Sequence, residues 1–236
     1  MSPSGPGRTP LVTVVVPTLN EAAELPAALD RLAALPGRFE VIVADGGSGD
    51  GTAAIAEAHP LAPAVVEQAG GRARQLNAAA AIAAGDALVF LHADTALPRG
   101  AHAALCTALR QPEIEGGNFA LRFGGGDRFS RILTAWYAVQ RRLGVYYGDS
   151  VLWVRRETFA ELGGFTPLPI MDDYDFVRRL ERRGRTACLR GPAVTSARRW
   201  QQAGLPRTLA AWVAIRWLYL AGVPADRLAR LYRPVR

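Results

Sequence analysis

The chain contains no lysine; all 28 of its basic residues are arginine. A Walker-type phosphate loop and a Schiff-base lysine are therefore excluded. A GC-rich coding sequence accounts for most of that absence, yet it leaves the chain rich in the side chain that grips phosphates bidentately. Cysteine is scarce: Cys106 and Cys188 are the only two, with no CxxC and no disulfide framework, which suits a reducing compartment. Histidine is confined to His59, His92 and His102, all in the first half. Long apolar runs are missing as well. Leu209–Val223 is apolar except for Arg216, but its 15 residues fall short of the roughly 20 needed to cross a bilayer. Met1–Pro10 is rich in Pro, Gly and Ser and has no apolar run like a signal peptide's, so a frayed start and a cytoplasmic location are expected.

What is present is a 236-residue chain, half hydrophobic, with a formal net charge of +7. That length and composition support one domain with a sizeable core and a C-terminal appendage. The basic balance permits nucleic-acid or membrane contact. No helix-turn-helix, zinc finger or RNA-binding motif occurs, so no nucleic-acid partner is expected.

The chain is organised around Gly85–Pro98. Its apolar run Ala87–Leu91 reads as a buried strand, extending over Ala87–Asp94 into His92-Ala93-Asp94-Thr95. A carboxylate at the carboxyl end of such a strand sits where open α/β sheets bind ligands, although Asp94 with Thr95 could equally cap a turn. Upstream, Leu11–Val16 is a first strand and Pro17-Thr18-Leu19-Asn20-Glu21 a turn, with Asn20 a candidate N-cap. Leu25, Ala28, Leu29, Leu32 and Leu35 then recur at helical spacing. Phe39–Ala44 is a second strand ending in Asp45, followed by the glycine-rich Gly46–Thr52 and a helix near Thr52–Ala58. This β-α-β order predicts a parallel sheet with a right-handed crossover. No GxGxxG follows the first strand, which disfavours a dinucleotide site.

Ala64–Val66 is a short third strand, and a helix opening near Arg72 and Arg74 runs toward Gly85 as its C′ residue. Cations at a helix start are unfavourable unless an anion is bound there, although solvated arginines are the plain alternative. A helix follows near Gly100–Leu109. Gly116–Phe123 reads as a strand, and Arg128–Leu143 has helical periodicity through Phe129, Ile132, Leu133 and Trp136. Asp149 lies in the loop before a strand over Val151–Val154, and a short helix spans Arg156–Leu162. Asp172, Asp173 and Asp175 open the next helix, where carboxylates suit the dipole, and Thr186–Leu189 is the last strand.

Five stretches together resemble the family 2 glycosyltransferases of the GT-A fold: Val14–Glu21, Val41–Thr52, Gly71–Thr95, Gly163–Phe165 and Met171–Phe176. The resemblance covers nearly the whole chain to about Trp200. The ending looks closest to the small bacterial subgroup labelled arsenosugar-biosynthesis transferases. It implies an α/β, Rossmann-like, mostly parallel sheet flanked by helices, with a C-terminal helical appendage. Residues 1–9 would be a disordered start, 10–110 the nucleotide-binding half, 111–204 the acceptor half and 205–236 the helical segment.

The implied reaction is inverting transfer of a sugar from a nucleotide-sugar donor, a UDP-sugar first, to a small-molecule or lipid-linked hydroxyl. Pro17, Thr18, Asn20 and Glu21 would border the nucleotide. Asp45 would accept from the base, and Arg72 and Arg74 would lie near the diphosphate. His92-Ala93-Asp94 matches the Asp-x-Asp metal motif with its first Asp replaced, so Asp94 and His92 would hold Mg²⁺ or Mn²⁺. Asp173 matches the general base, with Asp172 beside it, and Asp149 lies on the acceptor side. Many such enzymes carry a C-terminal metal-binding histidine. Here Ser196-Ala197-Arg198-Arg199-Trp200 stands instead, placing Arg199 near the diphosphate and Trp200 on the acceptor side. Two other readings stand beside this one: a nucleotidyltransferase acting on sugar phosphates, and a non-catalytic nucleotide-sugar-binding module at a membrane. The helix with Trp212, Arg216, Trp217 and Tyr219 can serve as an interfacial helix at the inner membrane face, as a dimer contact, or as packing on the domain.

Overall fold

The computed structural model describes residues 8–196 and 205–231. Three apolar runs build the centre: β1 (Val12–Thr18), β2 (Phe39–Asp45) and β4 (Ala87–Phe90). β1 and β4 are buried almost throughout, as strands covered on both faces must be. With β3 (Ala64–Glu67), β5 (Thr95–Ala96), β6 (Ile114–Phe123), β7 (Leu152–Arg155) and β8 (Arg185–Thr195) they form one sheet of order β3-β2-β1-β4-β7-β6-β8-β5. β3, β2, β1 and β4 pair in parallel, as do β6 and β8; β7 runs antiparallel to both its neighbours, and β5 to β8. This is the expected α/β, Rossmann-like arrangement.

The two faces of β1 separate by the strand period of two. Val12, Val14 and Val16 enter one core with Leu29 of α1 (Leu25–Ala33) and Leu105 of α4 (Ala101–Leu109). Val15 enters the other, with Leu76 of α3 (Arg72–Ile82), Phe159 of α6 (Arg156–Glu161) and Phe176 of α7 (Asp172–Arg183). There Phe90, Phe159, Phe165 and Phe176 pack with ring centroids 4.7 to 5.5 Å apart. α2 (Thr52–Glu57) and α5 (Arg128–Arg142) complete the layers.

Three local readings are corrected. β4 stops at Phe90, so Asp94 stands in the following turn, four residues past the strand. α3 stops at Ile82, and Gly85 is not its C′ residue. A Cβ there would lie 2.5 Å from Thr13 Oγ1, so glycine is needed for close approach to β1. Asn20 does not cap α1, which begins at Leu25; its φ of 56° belongs to a turn tied to the loop at Ser48. α5 forms where its periodicity predicts a helix; Ile132 and Trp136 face out, while Ser130, Leu133 and Tyr137 face the core.

The C-terminal helix α8 (Leu205–Leu220) packs on the domain. Ile215 joins Ile170, Met171, Tyr174 and Leu228 of α9 (Ala225–Leu231), Arg216 donates to Gln140 Oε1 at 2.7 Å, and Tyr219 donates to Asp175 Oδ1 at 3.0 Å. Among the described residues no helix is long and apolar enough to cross a membrane.

Candidate active site

The strand order reverses at β1: the chain passes outward through β2 and β3, then returns to place β4 on the other side. Such a switch point opens a crevice at the carboxyl ends of the two strands. Pro17 from β1, Leu91 and His92 from the turn after β4, and Arg72 from the start of α3 line a small cleft there. β7 runs antiparallel, with Leu152 opposite Phe90, so the loop before it arrives at the same edge. That loop brings Gly148 and Asp149, and α7 brings Asp173.

Arg72 is the hub. Its Nε and Nη2 donate to Asp172 Oδ2 and Oδ1 at 3.2 and 3.1 Å, and Nη2 lies 3.2 Å from Asp173 Oδ2. Its Nη1 is 3.4 Å from His92 Nε2. Burial alone would lower the arginine's pKa, but the charges of Asp172 and Asp173 outweigh it and hold the guanidinium firmly protonated. Burial pushes Asp172 above the ordinary carboxylate range, opposed by Arg72. Asp173 Oδ2 also accepts from the Gly148 N–H at 2.8 Å, and Oδ1 from the Tyr174 N–H at 2.7 Å. A side chain at Gly148 would press on the ion pair: a Cβ would lie 2.8 Å from Arg72 Nη1 and 3.1 Å from Asp173 Oδ2.

Asp149 stands beside this group. Its Oδ2 accepts from Tyr137 Oη at 2.5 Å, while Oδ1 is buried and has no hydrogen-bond partner among the described residues. Burial first, and then the negative charges of Asp173 and Asp94, outweigh the Tyr137 hydrogen bond and the charge of Arg72, so its pKa rises to about 7. Tyr137 is pushed well above its ordinary value by burial and by Asp149, so it stays a neutral donor.

Asp45 has a different setting. It is buried at the end of β2. Its Oδ1 accepts from the Thr18 hydroxyl (3.0 Å) and the Ser48 hydroxyl (2.6 Å), and its Oδ2 from the backbone N–H groups of Gly47 (3.0 Å) and Ser48 (2.8 Å). Burial would raise its pKa, but these hydrogen bonds prevail and lower it. The same loop is clasped from β1's side. Asn20 donates its N–H to Ser48 Oγ and accepts from Gly49, and the Glu21 N–H donates to Thr52 Oγ1. Four of the expected nucleotide-site residues, Thr18, Asn20, Glu21 and Asp45, thus form one hydrogen-bonded shelf around residues 46–52.

The structure brings Arg72, His92, Asp172 and Asp173 together, with Pro17 and Asp149 at the same edge. Arg74 is not brought in. It is exposed, because residues two apart on a helix point in different directions. Ala93 is buried, and its carbonyl accepts from Arg31. Asp175 is tied to Arg179, Thr166 and Tyr219 and serves the scaffold. Arg199 and Trp200 lie outside the described residues. Among the described residues no three His, Cys, Asp or Glu side chains are placed to hold an ion. Asp94, in the turn after β4, carries a carboxylate, the hard oxygen donor that such ions take, and is not among the residues lining the cleft. One carboxylate alone would leave most of the shell of a Mg²⁺ or Mn²⁺ to other donors.

Gln75, Asn77, Gly148 and Tyr137 carry no sequence signal for the contacts they make. Gln75 Nε2 donates to the Thr18 and Ala44 carbonyls, joining α3 to both strand ends, and Asn77 pairs with the Phe165 backbone in both directions. Gln75 and Asn77 lie within the matched stretch Gly71–Thr95, but a polar residue inside a helix gives no local sign of which backbone groups it will reach.

A model of the family described as glycosyl transferase family 2 matches residues 13–167. A PGL/p-HBAD biosynthesis glycosyltransferase of Mycobacterium tuberculosis is 38% identical over 96 residues, a match spanning 37% of this chain and 37% of that protein. The mannosyltransferase PcManGT from Pyrobaculum calidifontis, solved in complex with GDP-Man and Mn²⁺, is 26% identical with a TM-score of 0.62. That likeness covers 81% of this chain and 57% of the other. S. aureus TarS 1-349 in complex with UDP-GlcNAc shares the fold at 16% identity and a TM-score of 0.61, over 78% of this chain and 58% of its own.

Proposed function

The chain belongs to glycosyl transferase family 2, and from that membership we propose that it transfers a sugar from a nucleoside-diphosphate donor to a hydroxyl acceptor with inversion. The observation that carries this reading is the placement of Arg72, a guanidinium held by Asp172 and Asp173 at the crevice between β1 and β4. A diphosphate entering that crevice competes with the two carboxylates for the guanidinium, whose fork matches phosphate oxygens. As Arg72 turns to the donor, an oxygen of Asp173 is released to take the acceptor's proton, while Gly148 N–H keeps the carboxylate in place. The shelf formed by Thr18, Asn20, Glu21 and Asp45 supports the nucleotide, with Pro17 at its edge.

Asp94, with His92, would hold a divalent cation together with the donor's phosphate oxygens. When bound, Mg²⁺ or Mn²⁺ neutralises the charge that develops on the leaving diphosphate. The likeness to a mannosyltransferase solved with GDP-Man and Mn²⁺ supports both a nucleotide sugar and a divalent ion. We take UDP as the first donor to test and GDP as the second. Arg199 is proposed at the diphosphate and Trp200 beside the acceptor. The acceptor is a small-molecule or lipid-linked hydroxyl. The mycobacterial relatives are named for PGL/p-HBAD biosynthesis, whereas the arsenosugar subgroup rests on the C-terminal sequence alone.

A second reading of the base rests on Asp149, whose Oδ1 has no partner among the described residues. In that version Asp149 takes the proton and Asp173 remains a holder of Arg72. The reaction itself is tested by offering UDP- and GDP-sugars with hydroxyl acceptors and measuring nucleoside diphosphate. Its release with sugar transfer is the expected result. Pyrophosphate release from a nucleoside triphosphate and a sugar phosphate would make the chain a nucleotidyltransferase, and binding without any product would make it a non-catalytic module.

A further inference from the structure

Helix α5 has two apolar faces, and among the described residues only the inner one is covered. The inner one carries Leu133 and Tyr137, the latter reaching Asp149 at the active-site edge. The outer one carries Ile132, Trp136, Val139 and Leu143, which are 55, 36, 51 and 75% exposed. Steps of four, three and four residues place these side chains in a single line along the helix. A soluble helix places such a line against its core; here it faces out.

Asp127 caps the N-terminus of α5, and from Arg128 onward the helix's own charges are of one sign. Between Arg128 and Arg142 the helix has no carboxylate, and Arg128, Arg131 and Arg142 are exposed. On its other flank lies α8, joined through Arg216 and Gln140. α8 has no carboxylate either, and it exposes Trp217, Leu218 and Leu220. A second copy of the chain is a poor occupant, because a two-fold contact along α5 would set its arginines against themselves. Indole and aliphatic side chains bordered by arginine match the layer between headgroups and acyl chains of a negatively charged bilayer.

We propose that the outer face of α5 docks the protein on an anionic membrane surface, with α8 beside it. This proposal does not rest on the reaction assigned above. If both hold, Tyr137 and Asp149 are one helix thickness from the lipid, and the acceptor side faces a surface where a lipid-linked hydroxyl resides.

The test is flotation of the full chain with vesicles of phosphatidylcholine alone and of phosphatidylcholine mixed with phosphatidylglycerol. Binding to the mixed vesicles is expected, with a blue shift of tryptophan emission and weakening by salt. Each arginine near such a surface contributes roughly fivefold in partitioning, so the pair Arg131→Gln and Arg142→Gln should lower it by about twenty-five-fold. The pair Ile132→Gln and Val139→Gln should lower it by about tenfold or more. All four positions are exposed, and a thermal melt of each variant confirms folding. Equal binding to neutral vesicles, or unchanged partitioning in both folded variants, overturns the proposal. So does a dimer in light scattering that the Ile132 and Val139 changes dissociate while the intact chain fails to float.

Discussion

Arg72 and Asp172 stand 100 residues apart in the chain and meet through two hydrogen bonds of 3.1 and 3.2 Å, joining the first helix turn of α3 to that of α7. The pair ties the start of α3 to the start of α7 at the cleft. Asp172 is almost fully buried, so removing its cation leaves a charge without compensation. Arg72→Gln should therefore cost about 2–4 kcal/mol in urea unfolding. A loss under about 0.5 kcal/mol would mean that the pair does not hold the two helix starts together.

Asp45→Ala removes the acceptor of four hydrogen bonds in a buried turn. The expected loss is about 2–4 kcal/mol, with Thr18→Val losing about 1 kcal/mol. Because the folded pKa of Asp45 is lowered, its contribution is present above the unfolded value near 4 and disappears as pH falls through the folded one. Comparing acid unfolding of wild type and Asp45→Asn checks the sign: the wild-type advantage should shrink at low pH. A constant difference from pH 7 to pH 2 would contradict it.

Asp149 has the opposite sign. Its folded pKa, about 7, lies above the unfolded value near 4, so the folded state holds the proton more tightly. Stability from this group is full below about pH 4 and lost as pH rises to about 7. Asp149→Asn should flatten that descent in a pH series of thermal melts. The carboxyl infrared band of Asp149 should disappear near pH 7 in wild type. Loss of that band near pH 4 instead would place the group in an ordinary setting.

The buried runs of β1, β2 and β4 were legible from their unbroken apolar residues, as was the parallel order from β-α-β alternation. What periodicity alone could not show was which of two apolar stripes on α5 enters the core. Phe129, Ile132, Leu133 and Trp136 are all consistent with a helix, and the choice was made by Tyr137 reaching Asp149 and by Leu133 packing with Phe123. Similarly, Asp45 was visible as a carboxylate ending a strand. That four donors from Thr18, Gly47 and Ser48 would enclose it depended on the fold of the loop. Arg72 and Arg74 looked equivalent in sequence, and the turn of the helix separated them.

The carboxylates at the cleft should divide their work. Asp173→Asn should lower turnover by roughly a hundredfold or more with donor affinity nearly unchanged, the scale of a lost general base. Asp94→Asn should weaken the Mn²⁺-dependent part of donor binding, read as a lost increment in thermal shift with donor plus Mn²⁺. Asp175→Asn should lower the melting temperature and leave turnover near normal, since its partners are Arg179, Thr166 and Tyr219. Collapse of turnover in Asp149→Asn, with Asp173→Asn near normal, would transfer the base to Asp149.

The claim that Arg72 marks the donor diphosphate site is tested most directly by calorimetric titration of UDP and GDP in the presence of Mn²⁺. Wild type, Arg72→Gln and Arg74→Gln are compared. The account predicts binding of a nucleoside diphosphate by wild type, a loss of about tenfold or more in Arg72→Gln, as for a charged hydrogen bond removed, and little change in the exposed Arg74→Gln. Equal affinity in wild type and a folded Arg72→Gln would contradict it.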